Sequence, residues 1–365
     1  MEKSIYYEYT QQWFPQLVRS TVELLNEKRV GANALTYMFR QFLTPKYSND
    51  GRWSSILAEY TRVAADIVAL DSELPLKSRD AIEVANGTIP KLGMKLYLTE
   101  KQMKDIDAMI ALQNPTPQIV QNMFADLPRV ITAVYERIED MFLSELSTGV
   151  GVSERSTGTG VRIDVKFKSE NQFGVKKKWE EDITASTPLD DIQQVFDKAM
   201  NDQNDITDIF ADDTWLNNFY KSSQVRNQYA FNNGVALGGT TNVPVLDFEK
   251  AGQVLQTKWG ITLHRVARTI KTELNGVRKN HKPWAKGVAT FTCSDNLGDL
   301  VWTNCAEATR PVSGVTYETA EQYILASRYS TNDPLREFTA SQAMVVPILS
   351  NVDQIYTLNS TQVQG

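Results

Sequence analysis

Apolar and aromatic positions in the first fifty residues fall into two groups. Trp13, Phe14, Leu17, Val18, Val22, Leu24 and Leu25 come first, then Leu35, Tyr37, Met38, Phe39, Phe42 and Leu43. The spacing from Phe14 to Leu25 predicts one short amphipathic helix, but the stretch has no core of its own. Residues 1–53 therefore read as an arm that packs on something else, with Trp13, Phe14 and Leu17 as its packing residues. Two longer runs follow, "ILAEYTRVAADIVAL" and "IEVANGTIPKLGMKLYL". In the second, Leu92, Met94, Leu96 and Leu98 alternate with Gly93, Lys95 and Tyr97, the period of a strand with one buried face. The first run is compatible with a strand or a helix. Residues 54–98 are expected to form a long hairpin whose tip, "ALDSELPLKSRDA", carries Asp71, Glu73, Lys77, Arg79 and Asp80 around Pro75, a proline that rules out a helix interior.

The extended region ends at Thr99-Glu100-Lys101-Gln102, the pattern of a capping box opening a helix to about Leu112. Thr116 with Pro117 places a second helix start. From there Ile119, Met123, Phe124, Leu127, Ile131, Val134, Tyr135, Ile138, Met141, Phe142 and Leu146 recur three and four apart, predicting one spine helix over 117–148. It would be about 45 Å long, with a kink at Pro128. A glycine-rich loop, "STGVGVSERSTGTG", leads to the alternating strand "VRIDVKFK" and a return near Phe173. Thr187-Pro188 opens the helix "LDDIQQVFDKAMND", and "WLNNFYKS" continues the helical pattern. From Val243 onward strand-like runs take over: "GITLHRVARTI", "GVATFTCS", "LVWTNCA", "YILASRYS", "QAMVVPIL" and "QIYTL". The class is α+β, without internal repeats.

A chain of 365 residues can bury two or three ordinary cores and needs no disulfide staple. Cys293 and Cys305 show no CxxC spacing and read as free thiols of a reducing compartment. No signal-peptide core and no run of about 18 uncharged apolar residues is present, which predicts a soluble, unexported protein. The net charge of -6 argues against a surface built to neutralise phosphates.

The search for chemistry narrows quickly. His264 and His281 lie in different predicted elements and read as surface or edge-strand histidines. The glycine stretches lack the ending of a P-loop and the dinucleotide-binding frame, and no GxSxG elbow occurs. The acidic run "DQNDITDIFADD" departs from a calcium loop at Ile206 and Thr207 and reads as a solvated acidic face. Lys176, Lys177 and Lys178, followed by Glu180, Glu181 and Asp182, suit a subunit contact or plain solubility. No catalytic, cofactor-binding or metal-binding residues are assigned, and no cofactor is expected.

The order of arm, charged hairpin, spine helix and strand-rich second half resembles the major capsid proteins of tailed bacteriophages, specifically the lambda capsid protein E group with the HK97 fold. The resemblance is carried by Leu74, Pro75, Leu76, Arg79, Ile89, Pro90, Lys91, Leu96, Leu98, Thr99 and Glu100 in "ADIVALDSELPLKSRDAIEVANGTIPKLGMKLYLTEKQM". Near the end, Asp333, Pro334, Val346, Pro347 and the run Gln354 to Leu358 add to it. It implies a non-enzymatic shell subunit forming pentamers and hexamers of an icosahedral virion head, assembled in the bacterial host cytoplasm and enclosing packaged double-stranded DNA that it contacts weakly. A portal, a scaffolding protein and a decoration protein would be further partners, and no membrane is involved. In this layout 1–53 is the N-terminal arm, 54–115 the extended loop and connecting helix, 116–186 the first part of the peripheral domain, 187–315 the axial domain, and 316–365 the second part of the peripheral domain with the C-terminal strands. Asp71, Glu73, Pro75, Lys77, Arg79 and Asp80 would then meet neighbouring subunits. An encapsulin-like compartment shell and a cytosolic enzyme with a scattered site are the competing readings.

Overall fold

The computed structural model describes residues 1–26, 37–58, 82–153, 161–182, 184–234, 246–274 and 276–364. Helix α1 is Tyr7–Asn26, α2 is Phe39–Phe42, and strands β1 (Leu43–Tyr47), β2 (Arg52–Ala58), β3 (Ile82–Thr88) and β4 (Lys91–Leu98) follow. Next come helices α3 (Glu100–Ala111), α4 (Thr116–Met123) and α5 (Leu127–Thr148), then β5 (Val150–Ser153), β6 (Val161–Asp164) and β7 (Gln172–Val175). Helix α6 (Pro188–Asn201), strand β8 (Asp208–Asp212) and helices α7 (Asp213–Lys221), α8 (Ser223–Asn232) and α9 (Phe248–Trp259) precede β9 (Thr262–Val266), β10 (Ile270–Leu274), β11 (Val277–His281), β12 (Val288–Thr292) and β13 (Gly298–Thr303). Helix α10 (Ala306–Thr309) and strands β14 (Thr316–Ala320), β15 (Ile324–Asn332), β16 (Leu335–Leu349) and β17 (Tyr356–Val363) complete the described chain.

The chain divides into two compact units. The first takes the described residues of Met1–Trp53, Gly87–Asp140 and Asp299–Ile348, the second those of Ser54–Asn86, Met141–Gly298 and Leu349–Gly365. The segment expected to stay together as 316–365 is thus divided after Ile348, because β17 belongs to the sheet of the second unit.

In the first unit a sheet runs β1-β13-β16-β15-β14, with β4 also paired to β16. The β4–β16 register sets Leu98 opposite Glu337 and Leu92 opposite Ala343. The second extended run therefore does not act as one hairpin arm. It divides at Ile89-Pro90, since proline cannot donate to a ladder. Its first part, β3, pairs with β2, and its second part, β4, joins the larger sheet. Tight packing at the foot of the β2–β3 pair requires Gly87, where a Cβ would come within 2.7 Å of the Trp53 indole.

Helix α1 is longer than expected, 20 residues, and buries Thr10, Phe14, Val18 and Val22. These recur every four residues and form one stripe. The capping box at α3 is present as read: Gln102 N–H donates to Thr99 Oγ1 and Thr99 N–H to Gln102 Oε1. The single spine helix over 117–148 is not. The helix breaks between Met123 and Leu127, and Pro128 sits in the first turn of α5, where a missing N–H costs nothing. Thr116 is not a side-chain cap either, since Pro115 occupies that position. The longer piece has 22 residues, about 33 Å.

The second unit is built on a mixed sheet in the order β7-β17-β12-β8-β9. Strand β12 runs antiparallel to β17 and β8, whereas β17–β7 and β8–β9 are parallel. Trp179, Trp215 and Phe219 are fully buried against it, with ring centroids 5.0 Å and 5.1 Å apart along the series. Helix α9 lies in the stretch where only strands were expected. Asp247 caps it by accepting from Lys250 N–H, and Gly260 ends it at φ 73°. The acidic run is not a solvated face: it contains β8, with Ile209, Phe210 and Ala211 fully buried.

Candidate assembly interface

The N-terminal segment is fastened to the β15–β16 hairpin. Glu2 and Ser330 form an antiparallel bridge, with Glu2 N–H donating to Ser330 O at 3.0 Å and Ser330 N–H to Glu2 O at 3.1 Å. Beneath it lies a fully buried ion pair, Arg328 Nε to Glu337 Oε1 at 2.8 Å. Burial lowers the Arg328 pKa from its ordinary value, and the Glu337 charge opposes that shift. The remaining acceptor capacity of Glu337 goes to the N-terminal segment: Ser4 Oγ donates to Oε1 and Ile5 N–H to Oε2 at 3.0 Å. Arg328 donates to Met123 O at 3.0 Å, with its guanidinium 4.4 Å from the Phe124 ring centroid. A buried pair is tolerated only with such additional bonds, so this cluster fixes the start of the chain to one place.

A second cluster gathers at the β14–β15 turn, where Glu321 and Gln322 adopt φ 49° and 66°. Glu321 accepts from Arg40 at 2.6 Å, from Tyr135 Oη at 2.6 Å and from Tyr323 Oη at 3.1 Å, and Asn26 also donates to it. Burial beside this carboxylate pushes both phenols above their usual range. Arg19 pairs with Glu318 at 2.9 Å, which links the body of α1 to β14.

Phe14 is fully buried, with its ring 6.2 Å from that of Phe124, and Trp13 and Leu17 are partly buried. Phe14 therefore packs within this chain's own first unit. Asp71, Glu73, Pro75, Lys77, Arg79 and Asp80 lie outside the described residues. What is described is the base of their loop, where Ile89 N–H donates to Gly51 O at 2.9 Å and Lys91 pairs with Glu307 at 2.5 Å.

Among the described residues no group of three or more His, Cys, Asp or Glu is placed to hold a metal ion. His264 lies on the edge strand β9, its Nε2 2.6 Å from Asp208 Oδ1 and its ring stacked 4.7 Å from Phe210. Asp208 is held below the usual carboxylate range despite its burial, through its bonds to His264 and Thr207. Cys293 and Cys305 are free thiols. Burial pushes Cys293 up to about 12 and raises Cys305, which leaves both poor nucleophiles. A cavity of about 260 Å³ lined by Leu216, Tyr220, Phe248 and the Asp213–Arg265 pair is smaller than most ligand sites. Glu145 on α5 is fully buried with one hydrogen bond, from Leu349 N–H at 3.1 Å, and burial pushes it up to about 8. No helix among the described residues is long and apolar enough to cross a membrane.

Helices and mixed sheets in this order give an α+β fold of the HK97 type. The chain belongs to the phage major capsid protein E family, whose model matches residues 58–358. It is similar to a crystal structure described as that of a proposed prophage capsid protein from E.coli CFT073, with a TM-score of 0.58 and 13% identity, covering 93% of this chain and 97% of that one. A phage-related protein from Bordetella bronchiseptica RB50 is similar at a TM-score of 0.52 and 9% identity, covering 96% and 98%. At these identities the likeness is one of fold. No curated protein matches the sequence.

Proposed function

We propose that this capsid protein assembles, as pentamers and hexamers, into the closed icosahedral head of a tailed double-stranded DNA phage, without enzymatic activity. The family match over residues 58–358 carries the reading. The β2–β3 pair supports it: a two-stranded ribbon is marginal alone and gains stability when neighbours cover it. In this reading the first unit takes the peripheral role and the second the axial role, and the loop-tip residues Asp71, Glu73, Pro75, Lys77, Arg79 and Asp80 contact adjoining subunits. Trp13 and Leu17, left partly open by their own unit, extend the contact at the arm. Portal, scaffolding and decoration proteins are further partners, packaged DNA is touched weakly, and shells form in the host cytoplasm before becoming virions. Electron microscopy of the expressed protein tests this. Closed shells are expected, and a compact monomer or dimer under every solution condition refutes it. Reversing both Glu73 and Arg79 is expected to lower particle yield without altering the subunit's helical circular dichroism; unchanged yield removes the loop tip from the interface. Nucleic acid rather than protein cargo inside the particles separates a phage head from an encapsulin-like compartment.

A further inference from the structure

Residues 265–286 hold seven of the chain's lysines and arginines against one acidic residue, Glu273, in a protein whose net charge is -6. The middle of this stretch is the antiparallel pair β10–β11, which among the described residues joins no other strand. All five residues of β11 are exposed, as is Lys271 on β10. Glu273 is occupied by Arg278 at 2.7 Å. Register places Lys279 opposite Thr272 on one face of the ribbon and Lys271 opposite Asn280 on the other, so positive charge lies on both. The base is held: Trp284 is buried and donates from Nε1 to Val288 O at 2.9 Å, while Pro283 O accepts from Ser144 Oγ at 3.1 Å. Lys282 and Lys286 stand exposed on either side of that anchor.

We propose that the β10–β11 ribbon with Lys271, Lys279, Lys282 and Lys286 is the surface through which this capsid protein contacts the phosphate backbone of double-stranded DNA. The inference rests on the capsid reading and gives its weak DNA contact a location. Protein–protein contacts deplete lysine and centre on apolar residues, whereas among the ribbon's described side chains Val277 is the one large apolar residue exposed. Five residues per strand span about 17 Å, a length of duplex carrying on the order of ten phosphate charges. Contact with phosphates alone carries no base sequence, as a coat around any genome requires.

The test uses the full-length soluble subunit and a fluorescent 30-base-pair duplex of mixed sequence, titrated by anisotropy between about 50 and 200 mM salt. Four contacts give a slope of log affinity on log salt near -3.6, a loss of roughly 150-fold over that range. The quadruple change of Lys271, Lys279, Lys282 and Lys286 to Gln is expected to abolish most of the slope, and Lys279→Gln alone to reduce it by about 0.9. The triple change of Lys176, Lys177 and Lys178 to Gln is expected to leave it unchanged. Unchanged affinity and slope in a quadruple variant with native circular dichroism overturns the proposal. So does a variant that binds DNA normally but no longer assembles, which would make the ribbon a subunit contact. Shell formation by the unaltered chain is scored separately, so a failed capsid reading and a failed DNA surface give different results.

Discussion

Replacing Glu337 by Gln keeps the shape of the side chain while removing the charge that faces Arg328. The pair is fully buried, so water cannot compensate the guanidinium left behind. Removing one member of such a pair costs about 3–5 kcal/mol, far above the value of an exposed ion pair. The amide also brings an N–H₂ group to a place where Arg328 Nε, Ser4 Oγ and Ile5 N–H all donate. One of these bonds must therefore fail. Urea unfolding of the unassembled subunit should report a loss within that range. Hydrogen exchange at the Ile5 and Tyr6 amides should accelerate, because the N-terminal segment is held through the same carboxylate. Pairing Glu337→Gln with Arg328→Met removes the lone charge, so the double variant should lose at least about 2 kcal/mol less than the two singles added together. A single variant that loses under about 1 kcal/mol, or strict additivity, refutes the role given to this pair.

Three other perturbations follow from the geometry. Glu145 is pushed up to about 8 by burial, so the folded chain holds a proton that the unfolded chain releases near pH 4.5. Stability should then fall as pH rises from about 4.5 to 8, by on the order of 4 kcal/mol. Glu145→Gln should flatten that slope in thermal melts and raise the melting temperature at pH 8 and not at pH 4.5; a parallel pH profile in both proteins counts against it. Gly174→Ala would set a Cβ 2.7 Å from the backbone of Gln362 and Gln364, so the parallel β7–β17 pairing should weaken by about 2 kcal/mol in melting experiments, and a neutral effect rules out the close approach. Asp212→Ala removes the acceptor for Trp215 N–H at 3.0 Å and Gly287 N–H at 3.1 Å, and a loss of about 1–2 kcal/mol in denaturant unfolding is expected.

Much of the fold is written in local signals. Thr99 and Gln102 satisfy each other's backbone donors within one turn, so no distant residue is needed to predict the start of α3. The break between α4 and α5 escapes the same reasoning because Met123, Phe124, Leu127 and Ile131 are all buried. The apolar stripe continues through the interruption, and periodicity cannot register a change of axis. Helix α9 had its signals, Asp247 before Lys250 and Gly260 after the last turn, with Ala251, Val254 and Leu255 buried between. They were overshadowed by the strand-like runs that follow. Arg328 and Glu337 are invisible for a different reason. Charged residues at strand positions look solvent-facing until a distant segment covers them, and here the cover is the very start of the chain, more than three hundred residues away in sequence.

Charge shows the same limit from another direction. A net value of -6 describes the force on a distant phosphate, but contact with DNA is decided within about a Debye length, roughly 8 Å at physiological ionic strength. At that range what counts is which charges share an element. The acidic run that looked like a solvated face is largely used inside the second unit: Asp208 on His264, Asp212 at the start of α7, Asp202 on Lys198 and Tyr356. Asp208 is buried and Asp212 half-buried, and the exposed Asp202 is already engaged by its partners. The lysines of β10, β11 and the turn after them face outward. An acidic chain can thus present a basic ribbon: composition averages over residues the fold has separated, and the overall charge predicts repulsion at long range while permitting a weak, salt-sensitive grip at contact.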